Sequence, residues 1–213
     1  MSKVYIEAER FGLYHQMWRS WGWDITDNIE DADVCQFTGG ADVSPSLYNK
    51  FNHPRTFSNA DRDAKCKELY DTCLRYAIPM IGICRGGQFL NVMNGGEMVQ
   101  HADGHAMRGM HKATILENQM EIEVTSTHHQ IMIPNYNTGI VLMESQPLGT
   151  FKETTDSNGR VIQIDADDVE SIYYDDTCCL CFQPHPEFAS SEHVMQQALR
   201  MFIRNYLGLD VPN

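Results

Sequence analysis

Residues 80–91 read Met-Ile-Gly-Ile-Cys-Arg-Gly-Gly-Gln-Phe-Leu-Asn, an apolar run that delivers a cysteine, Cys84, between Gly82 and Gly86. A continuous apolar run of this length suits a strand buried in a parallel sheet. The spacing predicts a strand over residues 80–84 and a helix over 85–93, closed by Asn94-Gly95-Gly96. A reactive side chain between strand and helix, with small residues two positions either side, has the layout of a nucleophile elbow. Its thiol would lie at a helix N-terminus, where unpaired amides and the dipole favour the thiolate. The effect matters, because a free thiol of pKa ~8.5 is only about 3% ionised at neutral pH.

A thiolate nucleophile needs a base and an orienting partner. Residues 181–187, Cys-Phe-Gln-Pro-His-Pro-Glu, end an apolar run and hold His185 and Glu187 on either side of a rigid proline. His185 can take the thiol proton and return it to a leaving amine, while Glu187 holds the other ring nitrogen. Thr38-Gly39-Gly40 ends another short apolar run. A paired-glycine turn can aim backbone N–H groups at the oxyanion of a tetrahedral intermediate. One such donor is assigned to Gly40 and the other to Arg85, directly after the nucleophile.

These segments must be positioned by a fold. Residues 4–8 and 34–37 read as strands, and 11–18 as a helix with Phe11, Tyr14 and Trp18 on one face. Residues 59–76 form the clearest helix, opening at Asn59 and burying Cys66, Leu69, Tyr70, Cys73 and Leu74. Residues 98–111 read as an irregular stretch, 112–182 as short strands with turns, and 190–206 as a last helix burying Val194, Ala198, Leu199, Phe202 and Tyr206. No repeat or linker divides the chain, so a single domain over 1–213 is expected. Alternating β/α units with an antiparallel extension predict an α/β fold, an open and mostly parallel sheet with helices on both faces. Ligands of such sheets bind beyond the carboxyl ends of the strands, where both Gly40 and Cys84 fall.

The composition limits the partners. With 16 Lys+Arg against 29 Asp+Glu, the formal charge is −13 and no basic block is present, so nucleic acid is not an expected partner. No apolar run reaches the ~18–20 residues of a membrane span, and the first ten residues are too acidic for a signal peptide. Seven cysteines at 35, 66, 73, 84, 178, 179 and 181 lack disulfide-framework spacing, which suits a reducing, cytoplasmic compartment. All but Cys84 read as small core hydrophobes.

Taken together, Gly39-Gly40-Ala-Asp42-Val-Ser-Pro45-Ser-Leu-Tyr48, Gly82-Ile-Cys84-Arg85-Gly86-Gly-Gln88, Asn91-Val92, Gly95-Gly96, His128-His129-Gln130 and His185-Pro-Glu187 resemble the class I glutamine amidotransferase-like superfamily. Within it they are most similar to γ-glutamyl hydrolases of the γ-glutamyl-γ-aminobutyrate hydrolase type. The resemblance runs from about residue 36 to 188. It implies a flavodoxin-like fold, with Cys84 as nucleophile, His185 as acid/base and Glu187 as its partner. It further implies that Gln88, His128, His129 and Gln130 line a pocket for the γ-glutamyl group. The Arg85 side chain fits either a carboxylate clamp or an internal ion pair. Pro184 stands where that family commonly carries an aromatic residue, which bears on substrate choice.

Three other features have plain readings. His101, His105 and His111, or Cys178, Cys179, Cys181 and His185, could be metal ligand sets, but they read as a polar loop and as core packing. No metal and no cofactor are expected. Trp18, Trp21 and Trp23 read as packing, with a homodimer surface as one location, and residues 165–168 as a solvated acidic turn.

The expected activity is hydrolysis of a small γ-glutamyl amide through a thioester on Cys84. The alternative is a glutaminase subunit that passes ammonia to a synthetase or amidoligase partner. A third reading, a silent interaction domain, is disfavoured by the intact Cys84, His185 and Glu187 set.

Overall fold

The computed structural model describes residues 2–8, 12–106, 109–149 and 151–212. Phe11, placed above at the start of the first helix, lies outside them. In chain order, the first half runs β1 (Lys3–Ile6), α1 (Leu13–Ser20), β2 (Asp24–Thr26), β3 (Val34–Phe37), α2 (Ala60–Tyr76), β4 (Met80–Ile83) and α3 (Arg85–Met93). Short strands follow: β5 (Glu97–Val99), β6 (His101–Ala102), β7 (Met110–Ile115), β8 (Met120–Thr125) and β9 (Ile131–Ile133). The chain closes with β10 (Gly139–Ser145), β11 (Lys152–Thr155), β12 (Val161–Gln163), β13 (Asp168–Tyr174), β14 (Cys179–Phe182) and α4 (Val194–Leu207).

The main sheet runs β2-β1-β3-β4-β14-β13-β10-β7-β8. From β2 to β14 every pairing is parallel, and from β14 to β8 every pairing is antiparallel. Strand β9 joins β13 and also pairs with β5. A separate antiparallel sheet has the order β12-β11-β6. The stretch over 98–111, expected to be irregular, therefore contributes the end of β5, all of β6 and the start of β7. Each of these strands pairs with a partner elsewhere in the chain, β5 with β9, β6 with β11 and β7 with β8 and β10, so nothing local marks them.

Side-chain alternation along the central strands divides the core between two faces. Ile81 and Ile83 of β4, with Leu180 and Phe182 of β14, pack toward α1 and α4. Met80 of β4, with Cys179 and Cys181 of β14, packs toward α2 and α3. Helices thus cover both faces of this α/β sheet. Trp18, Trp21 and Trp23 belong to the first face and are buried. Their indole N–H groups donate to Gln36, Gln196 and the Asp210 carbonyl. They are core residues of this chain, each worth ~1.5–3 kcal/mol of burial, and not a dimer surface.

Local chemistry explains the helix ends. The Asn59 side chain accepts from Arg62 N–H at 3.1 Å, capping α2. Cys66, Tyr70 and Cys73 form its buried stripe, while Leu74 is exposed at the stripe's edge. The last helix begins at Val194, later than expected, because His193 caps it by accepting from Met195 N–H. Gln196 meanwhile holds the Pro186 and Ala189 carbonyls, keeping residues 189–193 outside the helix. Val194 is consequently exposed at the first turn.

Two expectations about surface and core are corrected, one of them only in part. Cys178, in a left-handed turn after a 3-10 segment, is exposed, whereas the other six cysteines are buried. Asp168 opens β13, is buried and pairs with Lys152 at 2.8 Å, so the acidic run is only partly solvated. Among the described residues no helix is long and apolar enough to cross a membrane.

Candidate active site

Strand β4 ends at Ile83, and Cys84 follows with φ 51° and ψ −114°, a backbone conformation that non-glycine residues avoid. Its N–H donates to Phe182 O at 2.8 Å, and its carbonyl accepts from Gln88 N–H at 3.0 Å. The elbow is therefore tied to β14 on one side and opens α3 on the other. The flanking glycines are steric necessities. A Cβ on Gly82 would fall 2.3 Å from the Gly86 backbone, and one on Gly86 would fall 2.3 Å from Phe37 O. The three segments 37, 82 and 86 meet at backbone contact, which leaves the cysteine at the end of the sheet.

The segment after β14 brings His185 to it. The Cys84 sulfur lies close enough to the His185 ring to raise its pKa, and His185 Nδ1 lies 2.6 Å from Glu187 Oε1. The His185 backbone N–H donates to Thr125 Oγ1 at 2.7 Å, and the ring stacks on Phe188 with centroids 4.7 Å apart. Burial disfavours charging this ring. The Cys84 sulfur and the Glu187 carboxylate outweigh it, and the pKa is pushed up to about 10.

Several residues with no chemical motif of their own hold this arrangement. Tyr14 of α1 accepts from Gly39 N–H at 3.1 Å and lies beside Glu187, whose charge adds to the rise in its pKa. Burial raises its pKa, so the hydroxyl stays protonated. Arg62 donates to Gly39 O at 2.9 Å and Thr38 O at 3.0 Å, and pairs with Glu7 at 2.7 Å. Burial pushes the Glu7 pKa up, but the Arg62 hydrogen bond and charge bring it below its ordinary value. Thr38 Oγ1 donates to the same carboxylate at 3.0 Å. This bracket fixes the Gly39–Gly40 turn. The only sequence signal for it is an arginine in the first turn of a well-marked helix.

A cavity of about 430 Å³ opens beside His185, with Tyr14, Thr38, Gly40, Arg62 and Glu187 in its walls. Cys84, which is 8% exposed, is not among the wall residues. Arg85 presents its backbone at the first turn of α3, where N–H groups lack intrahelical partners. Its side chain turns inward, is buried, pairs with Asp63, contacts Cys66 Sγ at 3.0 Å and lies over the Phe89 ring. Of the two roles open for that side chain, the internal ion pair is the one the structure contains.

Gln88, His128, His129 and Gln130 lie outside the cavity wall. Gln88 Nε2 donates to Gln183 Oε1 at 3.1 Å and reaches Gln130 O at 3.4 Å. Gln130 donates to Gln100 O at 3.1 Å, and His129 Nε2 faces Asp42 Oδ1 at 3.2 Å. His128 is buried beside His105 and His111. The histidines grouped by sequence proximity separate: His101 stacks with His53, while His105 and His111 join His128 and Glu170. Cys178 is exposed and apart from the buried Cys179 and Cys181.

Comparison with known proteins places this geometry. The family model described as Peptidase C26 matches residues 22–187, most of the chain. Over 73 residues, 34% of this chain and 30% of the other, the sequence is 37% identical to protein NtpR of Enterococcus hirae. Over 74 residues, 34% of this chain and 24% of the other, it is 38% identical to a candidate glutamine amidotransferase of Mycobacterium tuberculosis. The match therefore spans less than a third of the length of these curated relatives. A glutamine amidotransferase from Thermotoga maritima superposes with TM-score 0.60 at 13% identity, over 97% of this chain and 84% of that one. A glutamine amidotransferase from Methylobacillus flagellatus gives 0.54 at 17% identity, over 94% and 74%. At these identities the solved structures establish a shared fold.

Proposed function

From the premise that this chain belongs to the peptidase C26 family, of class I glutamine amidotransferase-like proteins, we propose that it hydrolyses a γ-glutamyl amide through a thioester on Cys84. One observation carries the reading. The Cys84 thiol and the Glu187 carboxylate engage the same His185 ring, the latter at 2.6 Å.

A ring held protonated at neutral pH is what a sulfur anion needs beside it. In the proposed reaction Cys84 Sγ attacks the γ-carbonyl carbon, forming the S–C bond and placing negative charge on the carbonyl oxygen. The Arg85 and Gly40 N–H groups are the proposed donors to that oxygen, and one such donor is commonly worth ~3 kcal/mol of transition-state stabilisation. His185 then gives its proton to the amine nitrogen as the C–N bond breaks. Water enters, His185 takes its proton, and the hydroxide attacks the thioester carbon. Glutamate leaves and the sulfur recovers its starting state. Glu187 keeps the ring oriented and balances its charge throughout, as Tyr14 and the Glu7–Arg62 bracket hold the turn that faces it.

The test is turnover by the purified chain, without added protein, of glutamine and a panel of γ-glutamyl amines. A glutamine-analogue electrophile should also label Cys84, located by mass spectrometry. Partner-free hydrolysis of the amines together with a modified Cys84 is the expected result. Label on another residue, or glutamine turnover that begins only when a synthetase is added, overturns it.

A further inference from the structure

A second polar cluster lies apart from the cavity. His105 belongs to the loop between β6 and β7, His111 to β7, His128 to the segment after β8 and Glu170 to β13. All four are buried, and one donor atom from each lies within 4.8 Å of all the others.

The bonding of these side chains is incomplete. Nδ1 of His105, Nδ1 of His111, Nε2 of His128 and Oε2 of Glu170 are buried without a hydrogen-bond partner, whereas His105 Nε2 faces Asp168 Oδ1 at 3.4 Å and His111 Nε2 lies 2.7 Å from Glu170 Oε1. Leaving such atoms unmatched costs ~1–3 kcal/mol each, so four residues in this state at one place call for an occupant. The His128 tautomer shows which kind. Its Nδ1 lies 3.0 Å from Gln130 O, and a carbonyl only accepts, so Nδ1 carries the proton. In the neutral ring Nε2 then offers a lone pair, and it faces Glu170 Oε1 at 3.8 Å. Two electron-pair donors face each other there with no proton to share. A backbone carbonyl that fixes one ring nitrogen so that the other can ligate is a recurrent support of metal-bound histidine.

Three imidazoles and one carboxylate match the nitrogen and oxygen donors of zinc, whereas magnesium and calcium require oxygen shells. A tetrahedral zinc shell with bonds of ~2.0–2.1 Å sets its donors ~3.3 Å apart, which this cluster reaches by side-chain shifts of about an ångström. Four protein ligands would leave no open position, the mark of a structural rather than a catalytic site.

We propose that His105, His111, His128 and Glu170 form a closed structural site for one zinc ion that pins β7, β13 and the segment after β8 to each other. The consequence reaches the strand end that carries His185. Thr125, whose hydroxyl holds the His185 N–H, precedes His128 by three residues. Gln183 N–H donates to the Glu170 carbonyl at 2.8 Å.

The experiment uses the full chain without a histidine tag, stripped with a chelator, reloaded with zinc and desalted before elemental analysis. About one zinc per chain is expected, with a melting temperature ~5–10 °C above the stripped protein at a hundredfold excess over Kd. Substituting His105→Ala or Glu170→Gln should weaken zinc binding by more than the ~10–100-fold that loss of an outer-shell partner costs. Should these variants fail to fold, the cobalt-loaded wild type decides, because a four-coordinate N/O shell gives a strong visible d–d band. Reloaded wild type holding under ~0.1 zinc per chain, a folded His105→Ala that binds zinc as tightly as wild type, or a cobalt spectrum of octahedral type overturns the proposal.

Discussion

Glu187→Gln separates the charge of the carboxylate from its shape. The glutamine oxygen can still accept from His185 Nδ1, where the carboxylate now stands 2.6 Å away, so the ring keeps its orientation while the negative charge is lost. Opposite unit charges ~4 Å apart attract by about 4 kcal/mol at an effective dielectric of ~20. Much of that is present before the reaction begins, so we expect a smaller kinetic effect. A fall in kcat/KM of ~100-fold corresponds to about 2.7 kcal/mol.

The proton balance moves as well. Against burial, which lowers it, Cys84 and Glu187 push the His185 pKa up to about 10. Without the carboxylate the ring loses its proton at lower pH, so the alkaline limb of the kcat/KM profile moves toward neutrality. A shift of one unit equals ~1.4 kcal/mol.

Stability follows the same sign. A raised histidine pKa stabilises the fold fully below the ordinary value of 6.5, and that contribution is lost as pH rises through about 10. Wild type should therefore lose stability across this window more steeply than Glu187→Gln. The assay is kcat/KM on the best γ-glutamyl amide from about pH 5 to about pH 11, alongside thermal melts and a His185→Ala control. An unmoved alkaline limb, or a larger loss in Glu187→Gln than in His185→Ala, refutes the division of roles between the two residues.

Two further substitutions test the elbow. Cys84→Ala should abolish turnover while circular dichroism and the cooperative melt remain, since a small side chain suits a site hemmed in by Gly82 and Gly86; activity within ~10-fold of wild type would show a different nucleophile. Arg85→Met leaves Asp63 buried without its partner, which should cost ~3–5 kcal/mol in denaturant unfolding. KM for the γ-glutamyl substrate should stay within a factor of two or so, and a large rise in KM with stability unchanged would restore the clamp reading.

The chemistry-bearing turn was legible because its determinants are local. A short apolar run, a cysteine and two closely spaced glycines decide a strand, an elbow and a helix within about a dozen residues. Helix α2 was legible for the same reason, through the Asn59 cap and the stripe of Cys66, Tyr70 and Cys73. The alternation of Leu180 and Phe182 with Cys179 and Cys181 already carried the two-faced sheet.

What lay beyond the sequence were the partners that only long-range register supplies. Tyr14 looked like a core residue of its helix, yet the packing of α1 brings its hydroxyl to both Gly39 and Glu187. Glu7 and Arg62 form one bracket across two elements, and Arg85 turns from the site toward Asp63. The buried histidine cluster is the extreme case, with donors drawn from three β-connected segments and a glutamate on β13. Capping, periodicity and steric demand act over a few residues and can be read in order along a chain. Burial and the pairing of distant charges depend on which strands become neighbours, and that follows from the free energy of the whole packed core.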